Sequence, residues 1–143
     1  MTADAVGGVW QYATELAAAL APHGVETVLA VLGPAPDDAQ RATVAAIPGC
    51  RLVETGLPLD WLCDRAEPVL AAGRVIGALV RESGADLIHC NMPSLLAAGP
   101  MGVPVLAVEH GGIGPWWQAA HGEAVPPTYA WLDELIRAGL VAA

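Results

Sequence analysis

Residues 4–10 read Asp-Ala-Val-Gly-Gly-Val-Trp. The two glycines stand between a short apolar stub and a stretch, Val9, Tyr12, Ala13, Leu16 and Leu20, whose apolar positions recur at helical spacing. Pro22-His23-Gly24 stops that helix. Residues 25–32 (VETVLAVL) follow as a nearly unbroken apolar run with β-branched members, as a strand covered on both faces requires. Stub, glycine turn, helix and buried strand make the opening of a parallel β-α-β unit. A glycine pair at such a turn has two readings. It is a plain strand-to-helix connection, or it exposes backbone N–H groups to an anion where the helix dipole favours a phosphate.

Downstream the same alternation continues. Gly33-Pro34-Ala35-Pro36 turns the chain, Asp37 caps a helix reaching residue 46, and residues 51–55 form a short strand. The loop 56–64 (GLPLDWLCD) leads to a helix over 65–83, with Val69, Ala72, Ile76, Leu79 and Val80 on one face and Pro68 in its first turn. A strand at 86–90 (DLIHC), a short helix at 94–99 and a buried strand at 103–108 (VPVLAV) come next. HGGIGPWW reads as a loop, and residues 128–138 carry Leu132, Leu135 and Ile136 on the face of a last helix. Alternating helices and strands predict an α/β fold: a Rossmann-like, doubly wound parallel sheet with helices on both faces, in one domain over 1–143.

Composition narrows the chemistry. Fifteen acids stand against six arginines and no lysine, for a formal net charge of -9, which argues against nucleic acid and against a polybasic membrane patch. No charged region precedes an apolar one at the start, and prolines and glycines interrupt the longest uncharged run, 90–108. Neither a secretory signal nor a transmembrane segment is expected, and the expected location is the cytoplasm. Cys50, Cys63 and Cys90 are odd in number and scattered, so they read as buried, reduced thiols.

In an open α/β sheet, ligands bind beyond the carboxyl ends of the strands. Gly7-Gly8, the segment 58–61, Asn91 and His110-Gly111-Gly112 all fall there. The glycine spacing fits neither a dinucleotide fingerprint nor a P-loop. His110 either hydrogen-bonds a sugar hydroxyl or reacting oxygen, or is satisfied by local backbone; His89, inside a strand, reads as structural and His121 as solvated. A zinc set from His89, Cys90, His110 and His121 is disfavoured because strand neighbours point to opposite faces, and neither metal nor cofactor is expected. G-x-S-x-G is absent and Ser83 and Ser94 are the only serines, which disfavours a hydrolase triad. Trp61 and the pair Trp116-Trp117 are either core or an aromatic platform, with core the preferred reading.

Four stretches in order, DAVGGVWQYATELAAALAPHGVETVLAVLGP, IPGCRLVETGLPLDW, ADLIHCNMP and VPVLAVEHGGIGPWW, resemble the N-terminal domain of family 4 glycosyltransferases of the GT-B fold. The resemblance implies a retaining hexosyltransferase that moves a sugar from a nucleotide-sugar donor to a sugar or lipid-linked acceptor between two Rossmann-like domains. It implies that Gly7 and Gly8 approach the donor phosphates, that His110 contacts the transferred sugar as the catalytic residue, and that Asn91 and Trp61 border the acceptor cleft. The family's nucleotide-holding C-terminal domain, with its basic ligands and paired glutamates, has no counterpart in these residues. The first strand is only a stub, and the last residue comes where such a domain continues. Residues 1–143 are therefore expected to be incomplete at both ends, marginally stable and inactive alone. The second reading is a non-catalytic, phosphate-binding Rossmann-like module.

Overall fold

The computed structural model describes all 143 residues. They form two compact units, Met1–Leu57 and Pro58–Ala143, and both are α/β with parallel strands flanked by helices.

The first unit is a three-stranded parallel sheet in the order β1-β2-β3, built from β1 (Thr2–Asp4), β2 (Thr27–Leu32) and β3 (Cys50–Glu54). Helix α1 (Gly8–Leu20) connects the first pair and α2 (Asp38–Ala45) the second. Short as it is, β1 is fully in register with β2, Thr2 opposite Ala30 and Asp4 opposite Leu32. The Met1 ammonium extends the pairing by donating to the Val28 carbonyl at 2.8 Å. Alternation puts Leu29 and Val31 of β2 on one face, where Ala3 of β1, Trp10 and Ala13 of α1, and Val44 of α2 complete a buried cluster. The opposite-facing Ala30 and Leu32 are buried as well, as the unbroken apolar run demands.

Helix α2 starts where the sequence places its cap. The Asp37 carboxylate accepts the Gln40 N–H at 2.8 Å, and the Gln40 side chain accepts the Asp37 N–H at 2.9 Å, a reciprocal box that satisfies two helix-end donors. Asp37→Ala is expected to cost about 1 kcal/mol, seen as a lower urea midpoint with an unchanged slope.

The second unit pairs β4 (Ile88–Cys90) in parallel with β5 (Val105–Ala107). Its helices are α3 (Ala66–Ser83), α4 (Ile113–His121) and α5 (Ala130–Ala142). Pro68 lies in the first turn of α3, where its missing N–H has no helical acceptor to lose, and Gly84 closes the helix at φ 64°. The predicted short helix is a 3-10 segment, Pro93–Ala98, and both α3 and α5 pack on it. Two glycines make that approach possible. A β-carbon on Gly73 would overlap the Leu95 carbonyl oxygen and come within 2.6 Å of the Ala98 β-carbon, and one on Gly139 would overlap the Pro93 carbonyl.

Three expectations change here. HGGIGPWW is not a continuous loop: α4 begins at Ile113, with Pro115 in its first turn and Gly122 ending it at φ 74°. The strand expected over 103–108 is shorter, and Leu106 within it is 49% exposed. Trp61 and Trp116 are half exposed, at 50% and 53%, and neither is core. No helix is long and apolar enough to cross a membrane.

Candidate functional site

The chain between β1 and α1 is held in place from two sides. The Asp4 carboxylate accepts the N–H groups of Val6 and Gly7 at 2.9 and 3.1 Å, and the Gln40 side-chain amide donates to the Ala5 carbonyl at 3.0 Å. Gly7, the residue flanking the helix, is extended at φ -142°, and Gly8 is the first helical residue. Neither glycine adopts a left-handed conformation, and a β-carbon on either would meet nothing within 4 Å. Nothing inside the protein requires glycine at either position. The pair leaves the helix start uncovered, with no capping side chain and no acid in the first turn. The Gly7 N–H is committed to Asp4, and no preceding helical carbonyl exists to accept the amides of Gly8 and Val9.

In the second unit the predicted residues Asn91 and His110 come together. Asn91 follows β4 directly and is buried; His110, three residues after β5, is exposed. The Asn91 carboxamide oxygen lies 2.8 Å from Nε2 of His110. His89, two residues before Asn91 and so on the same side of the strand, is buried and also hydrogen-bonds Asn91. Burial pulls the His89 imidazole below its ordinary range; the bond to Asn91 opposes this and the neighbouring His110 adds to it.

Residues that the sequence reading passed over complete this arrangement. Asp60, in the 3-10 turn Asp60–Leu62, is buried and accepts the hydroxyl of the fully buried Ser94 at 2.5 Å, together with the Trp61 N–H at 2.7 Å. Glu109 adjoins His110, and the backbone N–H groups of Gly111 and His110 point at its carboxylate. Although Glu109 is exposed at the surface, partial desolvation of its carboxyl raises it above its usual range, the Asp60 charge raises it further, and the two N–H groups oppose both. The available signal for Asp60 was an acid set between Leu59 and Trp61; its partner Ser94 lies 34 residues away, a pairing that no local pattern encodes.

The raised Glu109 carboxyl has a definite sign. The folded chain keeps the proton at pH values where the unfolded chain has released it, so stability falls as pH rises through that interval. Glu109→Gln is expected to stabilise the protein near neutrality. The gain should vanish in acid, below the ordinary carboxylate range, which urea midpoints in neutral and acidic buffers will check.

Trp61 offers a half-exposed ring at the Asp60–Leu62 turn. Along α4 and just beyond it, Trp116, Trp117, His121 and Tyr129 form a run of touching rings, Trp117 lying 4.5 Å from His121 and 5.6 Å from Tyr129 between centroids. His121 is thus exposed but set against indole. The cysteines are free. Cys90 is buried and Cys50 and Cys63 half-buried, and burial holds those latter two thiols above their ordinary range.

The model of the family described as Glycosyltransferase Family 4 matches residues 6–142. No curated protein and no solved structure matches the chain.

Proposed function

Since the chain belongs to glycosyltransferase family 4, we propose that it is the N-terminal domain of a retaining GT-B hexosyltransferase that takes its sugar from a nucleotide-sugar donor. The observation that carries this reading is the glycine pair: two glycines with ordinary backbone angles and open space above them, at the uncovered start of a helix of 13 residues. Their lack of side chains serves something that comes from outside the protein. A phosphate fits, because the Gly8 and Val9 amides and the helix dipole favour negative charge there.

The remaining roles follow the same reading. His110 contacts the transferred sugar. The loops bearing Trp61 and Asn91 face the acceptor, a sugar or a lipid-linked sugar, with the exposed indole of Trp61 offering an apolar face to a ring. The nucleotide is held by a second GT-B domain, so these residues alone bind donor weakly and do not turn it over. The site is cytoplasmic and uses no metal.

Titration of the isotopically labelled chain with uridine, guanosine and adenosine diphosphate sugars tests this. One donor class is expected to shift the amide resonances of Gly8 and Val9, in fast exchange. No shift there with any donor would overturn the proposal, as would sugar transfer by this chain unaided.

A further inference from the structure

We propose that Asn91 is a positioning residue for His110: its carboxamide oxygen accepts the Nε2–H of His110, fixes the imidazole in that tautomer, and leaves Nδ1 as the lone-pair nitrogen. The catalytic meaning of this depends on the reading of His110 as the sugar-contacting group, whereas the tautomer is a property of the chain itself.

Three observations lead here. First, the pair is close, at 2.8 Å, and Asn91 is 8% exposed, so its amide has lost most of its water and needs partners within the protein. Second, parallel pairing brings the two residues together by construction. Cys90 lies opposite Ala107, the Val108 N–H continues the ladder onto the Cys90 carbonyl at 2.9 Å, and His110 lies two residues on. Third, the same amide hydrogen-bonds His89, so one buried group contacts two imidazoles.

An amide and an imidazole pair in two ways. If the amide NH2 faced Nε2, the ring would have to accept there, and the bond would be lost whenever His110 took up a proton. With the oxygen facing Nε2, the ring donates in both its neutral and its protonated forms, and its position survives a proton cycle. The neutral ring then accepts through Nδ1 alone. A ligand group meeting it there must be a donor, which an intact sugar hydroxyl is and a deoxy or fluoro replacement is not.

The test is nitrogen-15 spectroscopy of the labelled 143-residue chain, with the His110 ring assigned by its absence in His110→Gln. Wild type is expected to carry the His110 proton on Nε2, and that proton should exchange slowly enough with water to be seen directly. In Asn91→Ala its exchange should speed up at least tenfold, while Asn91→Asp, which keeps an acceptor oxygen in place, should preserve it. If Asn91→Ala does not fold, wild type and Asn91→Asp still decide the matter. A proton on Nδ1 in wild type would overturn the proposal, and so would an unchanged exchange rate in folded Asn91→Ala. Either result would leave the donor titration standing, and a failed donor titration would leave the tautomer standing.

Discussion

Gly139→Ala is expected to destabilise the protein by about 3 kcal/mol, lowering the melting temperature by about 10 °C. Helix propensity alone predicts the opposite. Gly139 lies inside α5, where alanine is the better helix former by about 1 kcal/mol. Packing wins because the added methyl would overlap the Pro93 carbonyl, and a backbone atom of the 3-10 segment cannot rotate away as a side chain can. Gly73→Ala in α3 should behave in the same way against the Leu95 carbonyl and Ala98. Gly77→Ala, one turn further along α3, is the internal control. Its nearest neighbours are at 3.6 Å and are the ends of the flexible Arg81 and Met101 side chains, so alanine should be neutral or stabilising by up to about 1 kcal/mol. Calorimetry of the three variants checks the signs, and a stable Gly139→Ala would show that the close approach of α5 to the 3-10 segment is not as described.

The second large effect is on binding with the fold left intact. A β-carbon on Gly8 meets nothing within 4 Å, so the stability of Gly8→Ala and Gly8→Val should stay within about 0.5 kcal/mol of wild type. If a phosphate sits over this turn, the valine variant should lose at least tenfold in donor affinity, about 1.4 kcal/mol, with alanine intermediate. Donor titrations followed at the Val9 amide, alongside urea denaturation, separate the two quantities. A valine variant that binds every donor as wild type does would remove the glycine pair from the site.

These contrasts show what was legible in the sequence. The glycine turn, the Asp37 cap, Pro68 in the first turn of α3 and the β-α alternation are local rules, each readable within a few residues, and the structure carries all of them. Helix α4 escaped because none of its residues is buried. Ile113, Trp116, Trp117 and Ala120 do recur at helical spacing, but the Gly-Pro content resembles a turn, although proline in a first turn is compatible with helix. The exposure of Trp61 and Trp116 escaped because large aromatic residues are ordinarily core. The Asp60–Ser94 bond and the Asn91–His110 bond each join residues far apart in the chain. The second was within reach, since parallel strands bring their carboxyl ends side by side; the first depends on how a 3-10 turn folds inward.

The run of rings along α4 also has an optical consequence. Trp116 and Trp117 lie 5.9 Å apart with their planes at 75°, a separation and angle at which two indole transitions couple and rotate polarised light in a paired, opposite-signed pattern. That signal would originate in a single helix of the second unit, so its disappearance would report when this helix unravels, independently of the rest of the chain.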